Sequence, residues 1–484
     1  MTTTEAPPAA KMYVGGRWTD AASGERLDSV DPSTERVIAT IPAGGAADVQ
    51  AAVDAAAEAA PRWAAVGWAA RAKLLRELAD RIDAVADDLA RLEVRDCGNP
   101  LSGTSSDVTG AGGELRYFAG IAPGTTGTTG TGDSPTVSYT MRTPYGIVGR
   151  IIPFNHPFKF AAGKIAAPLA AGNTVILKPH EETSLTAIEL AKLADGLLPP
   201  GVLSVLTGTG REVGAALVGH PAVPRIAFTG SVPTGRALLH TAADHIKHLS
   251  LELGGKNPLI VFPDVDPVAA AHAAVAGMNI ARSNGQSCGS TSRIFVHREI
   301  RGPFLDALLD RVGKLRIGDP MNPDTEVGPL AFRAHYERVT NYIRIGQQEG
   351  ATLAYGGYRP ANLVAGYYVE PTVFTDVTDD MTIAREEIFG PVMSVFDWTD
   401  VDDVIARANG STMALTANVW TNDISVGHRT AAALEAGYVY INGNGRRPTG
   451  MPFGGWKHSG LGKEHCIEEL LSYTREKTIG ITLH

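Results

Sequence analysis

The sequence predicts an α/β protein with two lobes, each built around a mainly parallel sheet. From Ile147 onward, short apolar runs alternate with helical stretches, the pattern typical of β-α-β units. At ~150 residues per domain, the 484 residues correspond to about three domains or subdomains. The apolar runs fall into two series, 174–177, 202–206, 225–228 and 249–253 in the first, and 259–262, 293–296 and 438–441 in the second.

Composition limits the classes of partner. Lys and Arg number 43 against 52 Asp and Glu, so the net charge is −9 and the pI is near 5.8. This acidic balance argues against a nucleic-acid groove or an anionic membrane surface as the main partner. No stretch reaches ~18 uninterrupted apolar residues, so no membrane span is expected. Small molecules are therefore the expected ligands.

Cysteine use and the start of the chain predict a cytoplasmic protein. Cys97, Cys288 and Cys466 are too few and too far apart in sequence for a disulfide framework, and no C-x-x-C pair is present for zinc or redox chemistry. No basic residue precedes Lys11, and the same segment lacks the apolar region of a secretory signal. We expect no bound metal.

The chain ahead of the first sheet is predicted to be helical and then extended. Residues 48–92 are expected to form two helices, the second with core positions at helical spacing. A Gly/Thr run at 124–132 indicates a linker or an extended excursion, and the alternating segment 136–142 indicates an exposed strand. The core positions of the second helix are Leu74, Leu78, Ile82, Val85 and Leu89.

Two glycine-bearing segments are candidates for a nucleotide site. Gly208, Gly210 and Gly214 give G-x-G-x-x-x-G, one residue off the dinucleotide fingerprint, and a simple turn before a helix explains them as well. Residues 228–231, F-T-G-S, follow a strand and precede a helix expected to begin near residue 235. Backbone N–H groups and the Ser231 hydroxyl can hold a pyrophosphate there, although a glycine turn with serine as N-cap fits equally.

A charged pair stands where ligands of open α/β sheets bind. Lys178 and Glu181 follow the apolar run 174–177. A carboxylate at this point can accept both hydroxyls of a ribose and would repel a 2′-phosphate, which favours NAD over NADP. The alternative is a solvated pair on a loop.

Three segments together indicate chemistry at a carbonyl. Cys288 lies in the polar turn N-G-Q-S-C, which suits a reactive thiol, whereas Cys97 and Cys466 are interpreted as inert. Glu252 lies inside an apolar strand that ends in two glycines, so burial can make its carboxyl a general base, although a Glu paired with Lys256 or another cation also fits. Asn155, between two prolines, can donate to an oxyanion. A hydrolase and a dehydrogenase both fit this set.

These segments resemble the aldehyde dehydrogenase superfamily, in the family's order and across nearly the whole chain. Chance does not explain seven motifs in one order. The motifs are P-F-N-H-P from Pro153, K-P-H-E from Lys178, F-T-G-S from Phe228, L-E-L-G-G-K from Leu251, G-Q-S-C from Gly285, E-E-I-F-G-P from Glu386, and P-F-G-G-W-K from Pro452 with Ser459 and Gly460 beyond it.

The resemblance implies two Rossmann-like α/β lobes and a small β oligomerisation element. The NAD-binding domain would comprise residues 1–124 and 144–253, and the catalytic domain residues 254–460. The oligomerisation element would comprise 125–143 and 461–484, with the excursion paired to the C-terminal strand. A homodimer or homotetramer is expected.

The resemblance also implies catalytic roles. Cys288 would add to the aldehyde to give a thiohemiacetal, with its own backbone N–H and Asn155 holding the oxyanion. Hydride transfer would leave a thioester, hydrolysed by water that Glu252 deprotonates. Lys164 and Glu464 match a buried pair that in many members relays the proton from the general base. A buried salt bridge is the alternative.

The implied cofactor is NAD, with NADP less favoured. Lys178 and Glu181 match the adenosine-ribose ligands, Ser231 matches the pyrophosphate contact, and Glu387 with Phe389 matches the nicotinamide-ribose clamp. The other residues expected to contact the cofactor are Ile151, Pro153, Gly210, Gly230, Leu253 and Gly254.

Departures from the family pattern concern the substrate side. Phe154 and His156 flank Asn155 where many members carry Trp and another aromatic residue, and Gly163 replaces a residue that is often bulky. We infer a reshaped entrance tunnel. One of two loop arginines is a candidate to meet an anionic group on the substrate, against the alternative of a solvated basic pair. The substrate residues expected are Phe158, Phe160, Arg446, Arg447 and Phe453.

The implied function is NAD-dependent oxidation of a small-molecule aldehyde to its acid. A CoA-acylating semialdehyde dehydrogenase is an alternative, which Glu252 disfavours because that branch typically lacks the base. A catalytically silent protein on this scaffold is disfavoured by the intact Cys288, Glu252 and Asn155. A cysteine hydrolase without a redox step is disfavoured by the cofactor motifs.

Overall fold

A computed structural model describes residues 7–131, 136–445 and 447–482. Its strands are β1 (Met12–Val14), β2 (Arg17–Thr19), β3 (Arg26–Asp31), β4 (Arg36–Pro42), β5 (Thr129–Thr131), β6 (Thr136–Pro144), β7 (Ile147–Ile151), β8 (Thr174–Lys178), β9 (Leu203–Val205), β10 (Arg225–Thr229), β11 (His248–Glu252), β12 (Pro258–Val261), β13 (Arg293–His297), β14 (Thr352–Tyr355), β15 (Thr372–Thr375), β16 (Val392–Trp398), β17 (Met413–Ala414), β18 (Thr416–Trp420), β19 (Tyr438–Ile441), β20 (Trp456–Lys457), β21 (Gly460–Leu461) and β22 (Thr474–Thr482).

The helices lie mostly between these strands, and within the described residues none is long and apolar enough to cross a membrane. They are α1 (Ala46–Ala65), α2 (Trp68–Asp83), α3 (Ala86–Cys97), α4 (Leu101–Ile121), α5 (Pro157–Ala170), α6 (Leu185–Ala194), α7 (Ala215–Gly219), α8 (Val232–Ala243), α9 (Pro267–Gly277), α10 (Ile280–Ser283), α11 (Arg301–Gly313), α12 (Arg333–Gln348), α13 (Thr382–Arg385), α14 (Val401–Asn409), α15 (Ile424–Ala433) and α16 (Ile467–Ser472).

The first large sheet has eight strands in the order β2-β1-β9-β8-β7-β10-β11-β21. Its five central strands are parallel, and β1, β2 and β21 add antiparallel edges. From β7 the chain builds outward through β8 and β9, then returns to add β10 on the other side. Ligands of open α/β sheets bind at the carboxyl ends of strands where the order reverses in this way.

The second large sheet has seven strands in the order β14-β15-β16-β13-β12-β18-β19, parallel except for β14 at one edge. The two large sheets establish the α/β class that the alternation of apolar runs predicts. Each of the seven predicted apolar runs overlaps a parallel strand of one of them.

A third sheet joins distant parts of the chain in the antiparallel order β22-β6-β5. β22 pairs with β6 over nine residues, from Thr474 with Pro144 to Thr482 with Thr136. The alternating segment 136–142 is therefore a strand, and part of the Gly/Thr run forms β5 against it.

Each large sheet is covered by apolar clusters on both faces. In β8, Val175 and Leu177 belong to one cluster and Ile176 to another, because successive side chains point to opposite faces. Leu470 and Tyr473, in and just after α16, join the first of these clusters. The core of the first sheet thus extends beyond residue 460, while the division into domains stays a prediction.

The region 48–92 contains three helices rather than the predicted two. α1 ends ahead of Gly67, and α2 and α3 are separated at Val85, which has φ −126° and ψ 23°. Val85 nevertheless packs on the same cluster as Leu78 and Leu89. The apolar spacing continues across the break because it records which side chains are buried and does not record whether the backbone is continuously helical.

A buried ion cluster connects β7 to the segment ahead of α16. Arg150 is fully buried, and its Nη2 donates to Glu464 Oε1 at 2.7 Å. Its Nη1 donates to the Tyr473 hydroxyl at 3.2 Å. Lys164 Nζ, from α5, donates to the other oxygen of the same carboxylate. Two buried cations therefore depend on one carboxylate.

We expect Arg150→Leu to lower the free energy of unfolding by ~3–5 kcal/mol, because breaking a buried ion cluster leaves its charges poorly compensated. Urea or thermal denaturation measures the loss. Lys314→Leu is the matched control: its pair with Asp310 at 2.7 Å is exposed, so the change should stay within ~1 kcal/mol. Equal losses in the two variants would contradict the prediction.

Candidate active site

The loop that carries Cys288 lies between α10 and β13 and begins with a tight reversal. Asn284 and Gly285 have positive φ angles of 54° and 74°. A Cβ at Gly285 would lie 2.5 Å from the Gly390 carbonyl oxygen, so glycine is required there. Asn284 Nδ2 donates to the Pro329 carbonyl at 2.8 Å and holds the loop in place.

The Cys288 thiol is partly exposed, and its environment disfavours the thiolate. Burial, together with the negative charges of Glu252 and Glu387, raises the pKa of Cys288 to about 12. The thiol is therefore protonated at neutral pH. It becomes a strong nucleophile only when a base removes its proton.

Glu252 is the last residue of β11 and is 4% exposed. Neither of its carboxylate oxygens has a hydrogen-bond partner among the described residues. Burial raises the pKa of Glu252 well above its ordinary value, and the negative charge of Glu464 acts in the same direction. A carboxyl with a raised pKa binds a proton more strongly than an ordinary carboxylate does, which suits a general base.

Asn155 lies in the loop that follows β7 and connects the first sheet to the Cys288 loop. Its Nδ2 donates to the Gln286 carbonyl at 2.8 Å, and its own carbonyl accepts from Asn99 Nδ2 at 2.8 Å. The amide is buried and held in one orientation. One of its two N–H groups is used in this bond, and the other is left for a ligand.

Two cavities meet at the thiol, and Cys288, Glu252, Phe160 and Thr229 line both. The first cavity, at the carboxyl ends of β7 and β10, brings together the predicted residues Pro153, Asn155, Gly230, Ser231, Leu253, Gly254, Glu387 and Phe389. The second cavity, on the opposite side of the thiol, brings together the predicted residues Lys164, Arg447, Phe453 and Glu464.

Ser231 is the N-cap of α8, which begins at Val232 and thus three residues before the predicted start near Gly235. The Ser231 hydroxyl accepts from the Thr234 amide at 3.3 Å. The capping interpretation of F-T-G-S is therefore realised. The position of Ser231 in the first cavity also leaves it accessible to a ligand at the helix start.

The remaining predicted cofactor residues cluster beyond the first cavity. Lys178 Nζ donates to Glu181 Oε2 at 2.9 Å, and the Gly210 amide donates to Glu181 Oε1 at 3.4 Å. Burial opposes ionisation of Glu181, but the Lys178 charge outweighs it and lowers the pKa to about 2. Ile151 is buried at the end of β7, directly opposite Lys178.

Glu387 faces the glycine pair that follows β11. Its Oε1 accepts from the Gly255 amide at 2.9 Å, and a Cβ at Gly254 would clash with its carboxylate. Burial raises the pKa of Glu387 to about 7, while the Gly255 hydrogen bond acts in the opposite direction. The glycines therefore let the carboxylate approach the backbone closely.

His335 and Arg338 are site residues that the sequence did not identify. They lie one turn apart on α12, and both line the first cavity. His335 Nε2 lies 2.7 Å from the Phe389 carbonyl oxygen, and Arg338 Nη2 donates to the Glu387 carbonyl at 2.7 Å. Together they hold the backbone on both sides of residue 388. No motif in the sequence marks them.

Glu464 differs from Glu252 although both line the second cavity. Burial opposes its ionisation, but the Lys164 and Arg150 charges outweigh burial and hold the pKa of Glu464 well below its usual range. Glu464 thus releases its proton more readily than an ordinary carboxyl, and Glu252 less readily. Two carboxyl groups whose surroundings shift their pKa values in opposite directions can have different roles in one site.

Two of the predicted substrate residues are two positions apart on α5 and face opposite ways. Phe160 lines both cavities. Phe158 is 0% exposed and lies in a core cluster, outside the lining of either cavity, and its amide donates to Glu93 at 2.7 Å. Helix geometry explains the difference, because residues i and i+2 do not share a face.

Of the two loop arginines, Arg446 lies outside the described residues. Arg447 stacks over the Phe453 ring, with 3.7 Å between the guanidinium carbon and the ring centroid. Lys159 and Arg282 also line the second cavity, although the sequence did not indicate them. They come from α5 and α10, so the fold alone brings them together.

Comparisons with known proteins agree on one family. The model described as the aldehyde dehydrogenase family matches residues 18–479. Hydroxyisobutyraldehyde dehydrogenase of Mycolicibacterium austroafricanum is 45% identical over 100% of this chain and 95% of its own length. Betaine aldehyde dehydrogenase of Brucella anthropi is 42% identical over 99% of this chain and 98% of its own.

Solved structures show the same similarity. The NAD+ complex of an aldehyde dehydrogenase from Bacillus cereus superposes with a TM-score of 0.95 at 41% identity, covering 98% of this chain and 97% of that one. A putative aldehyde dehydrogenase from Burkholderia cenocepacia also gives 0.95, at 38% identity over 98% and 97% of the two chains.

We expect alkylation of Cys288 by iodoacetamide to accelerate about tenfold per pH unit between pH 7 and 9, because the raised pKa keeps the thiolate scarce. Mass spectrometry locates the modification. Cys97 and Cys466 are buried and should stay unmodified in the folded protein, and Cys288→Ser is the blank. A rate that levels off below pH 8 would reveal a thiolate already present at neutral pH.

Proposed function

We infer that this chain, which belongs to the aldehyde dehydrogenase family, oxidises an aldehyde to the carboxylic acid with NAD. Two cavities meet at the Cys288 thiol and the unpaired Glu252 carboxyl, and this junction is the main support for the assigned residue roles. The first cavity suits the cofactor, since it lies where the strand order of the first sheet reverses. The second cavity is left for the aldehyde.

Cys288 is the proposed nucleophile. Because its thiol is protonated at neutral pH, attack on the aldehyde carbon needs a base in the same cavities. Glu252 is suited to this task, since its carboxylate oxygens are unpartnered while Glu464 is held by two cations. Glu252 therefore takes the thiol proton as the thiohemiacetal forms.

The developing oxyanion is held by Asn155 and the backbone N–H of Cys288. The hydrogen bond from Asn155 to the Gln286 carbonyl orients the side-chain amide towards the cavity before any substrate arrives. Donors fixed in advance stabilise the charge without reorganising during the reaction.

The first cavity fits a dinucleotide. Gly254 leaves room beside Glu387, which with Phe389 binds the nicotinamide ribose, and Ser231 at the start of α8 binds the pyrophosphate. Bound there, NAD supplies the hydride acceptor that converts the thiohemiacetal into a thioester. Ile151, Pro153, Gly230 and Leu253 shape the walls of the cavity.

The adenosine ribose is assigned to Lys178 and Glu181, with the Gly210 amide beside them. Glu181 is ionised throughout the physiological range and accepts from Lys178. A permanent negative charge at this point repels a 2′-phosphate, which supports NAD over NADP as the preferred cofactor.

Hydrolysis of the thioester returns Cys288 to its starting state. Once the thiol proton has passed from Glu252 to solvent, Glu252 removes a proton from the attacking water, a second use of the same carboxylate. The new C–O bond displaces the Cys288 thiolate, and Glu252 returns a proton to the sulfur. Lys164 and Glu464 act through charge: Glu464 stays ionised and its negative charge raises the pKa of Glu252. This supports a structural ion cluster that adjusts the base, in preference to a proton relay through Glu464.

We further propose a homodimer or homotetramer that works in the cytoplasm. The three-stranded sheet supports the assembly, since its strands carry partly exposed apolar side chains, Tyr139, Met141 and Ile481. A surface of this kind gains from burial against a second copy. Three cysteines free of disulfides support a reducing compartment.

We expect NADH to form from NAD and at least one aldehyde in a panel of aliphatic, aromatic and charged substrates, and Cys288→Ala to abolish it. NADH fluorescence measures turnover, with NADP run in parallel. NAD binding to Cys288→Ala, measured by calorimetry, should persist, since the variant removes only the nucleophile. Turnover by Cys288→Ala would refute the assignment of the thiol.

We expect Glu252→Gln to lower steady-state turnover ~10²–10⁴-fold and to slow the pre-steady-state burst of NADH, because both the thiol and the water lose their base. Raising the pH should accelerate the burst again, since the thiolate then forms without Glu252. Stopped-flow fluorescence measures both phases. A burst of unchanged rate at neutral pH would restrict Glu252 to hydrolysis.

A further inference from the structure

Three cations stand between solvent and the Cys288 thiol. Lys159, Arg282 and Arg447 line the second cavity and also line the cleft that continues from it towards the surface. They come from α5, from α10 and from the loop ahead of β20. A molecule that reaches the thiol through this cleft therefore passes all three.

Two carboxylates lie close to these cations. Asp107 has a fully buried side chain, contacts Arg282, and lies 2.6 Å from His156 Nδ1 and 4.0 Å from Lys159 Nζ. Burial opposes its ionisation, but His156 and the neighbouring cations lower the pKa of Asp107. Its charge is therefore present, but none of its surface faces the cavity.

The second carboxylate belongs to Glu114, which lies 2.6 Å from His465 Nδ1. Burial lowers the pKa of both His156 and His465, while the carboxylate beside each ring acts in the opposite direction. Within the described residues, the basic side chains of Lys159, Arg282 and Arg447 outnumber Asp107 and Glu114, the two carboxylates at this outer end of the cavity.

Arg447 has unused hydrogen-bonding capacity. Its guanidinium stacks on Phe453, and its Nη1 is buried without a hydrogen-bond partner among the described residues. Burial lowers the pKa of Lys159, and the charges of Arg282 and Arg447 lower it further. The cations repel one another, and an anionic group placed among them would relieve the repulsion and satisfy the free N–H donors.

Deeper in the second cavity, among the described lining residues, the one basic side chain is already paired. Lys164, the only basic residue described in the lining of this inner part, donates to Glu464, and Glu252 contributes no positive charge. The positive charge that a substrate meets is therefore concentrated at the outer end, away from the reacting carbon.

We propose that Lys159, Arg282 and Arg447 bind a carboxylate at the far end of the substrate, so that the enzyme prefers aldehydes carrying a carboxylate over neutral and cationic ones. The proposal rests on the proposed function. Guanidinium groups bind carboxylates through paired, charge-assisted hydrogen bonds. Positive charge at the entrance to the second cavity also attracts anions towards the thiol.

The first test compares unbranched aldehydes of matched length that end in a methyl, a carboxylate or a trimethylammonium group. We expect kcat/KM for the carboxylated member to exceed that of the methyl member at least tenfold, with the cationic member lowest. Added salt should reduce the advantage of the anion. Equal kcat/KM values across the three end groups would overturn the proposal.

The second test uses Arg447→Gln and Lys159→Gln. Each should raise KM for the carboxylated aldehyde about tenfold or more, the size expected for losing one charged hydrogen bond, and should narrow its advantage over the methyl aldehyde. Arg447→Lys should recover part of the preference. Arg344→Gln, at an exposed position on α12, is the matched control for removing one positive charge.

Different results would refute the proposed function and the anion site. Absence of NADH with every aldehyde would refute the proposed function itself. Oxidation of aldehydes without preference for the carboxylate, or equal losses for carboxylated and methyl substrates in Arg447→Gln, would refute only the anion site.

Discussion

The hydrogen bond from Asn155 to the Gln286 carbonyl is the constraint on which the site depends. Asn155 follows a strand of the first sheet, and Gln286 belongs to the loop that leads into the second. The thiol, the oxyanion donor and the base come from separate segments, and they act together only if the two sheets keep this relation. Asn284 reinforces it, because its Nδ2 lies 3.3 Å from the Gly98 carbonyl as well as bonding to Pro329.

Charge is distributed so that similar groups behave differently. Glu464 lies between two cations and remains ionised, whereas Glu252, without a partner, holds its proton more tightly. At the outer end of the second cavity, Asp107 is ionised, but its buried side chain does not face the cavity. Position within the fold, more than residue type, decides which charges a substrate meets.

The motifs predicted much of the site because each is a continuous segment that carries its own local geometry. Glu252 ends β11, Asn155 lies in the loop after β7, and Cys288 lies in the loop ahead of β13, and all three line the first cavity. His335 and Arg338 escaped prediction because they act through backbone carbonyls of another segment. Lys159 and Arg282 escaped it because only tertiary packing brings α5 and α10 to the same cleft. Phe158 lies close to the other site residues in sequence, but helix geometry directs its side chain into the core.

The ion cluster around Glu464 also has a consequence for how the protein is made. Arg150 and Lys164 precede their shared carboxylate by 314 and 300 residues. Until the ribosome has added residue 464, both cations lack their counter-ion. Packing the core around β7 and α5 would then bury unpaired charges, which is energetically unfavourable. The first sheet therefore reaches its final packing only after residue 464 has been synthesised. A nascent chain stalled before that point would expose unfinished apolar surface to chaperones and proteases.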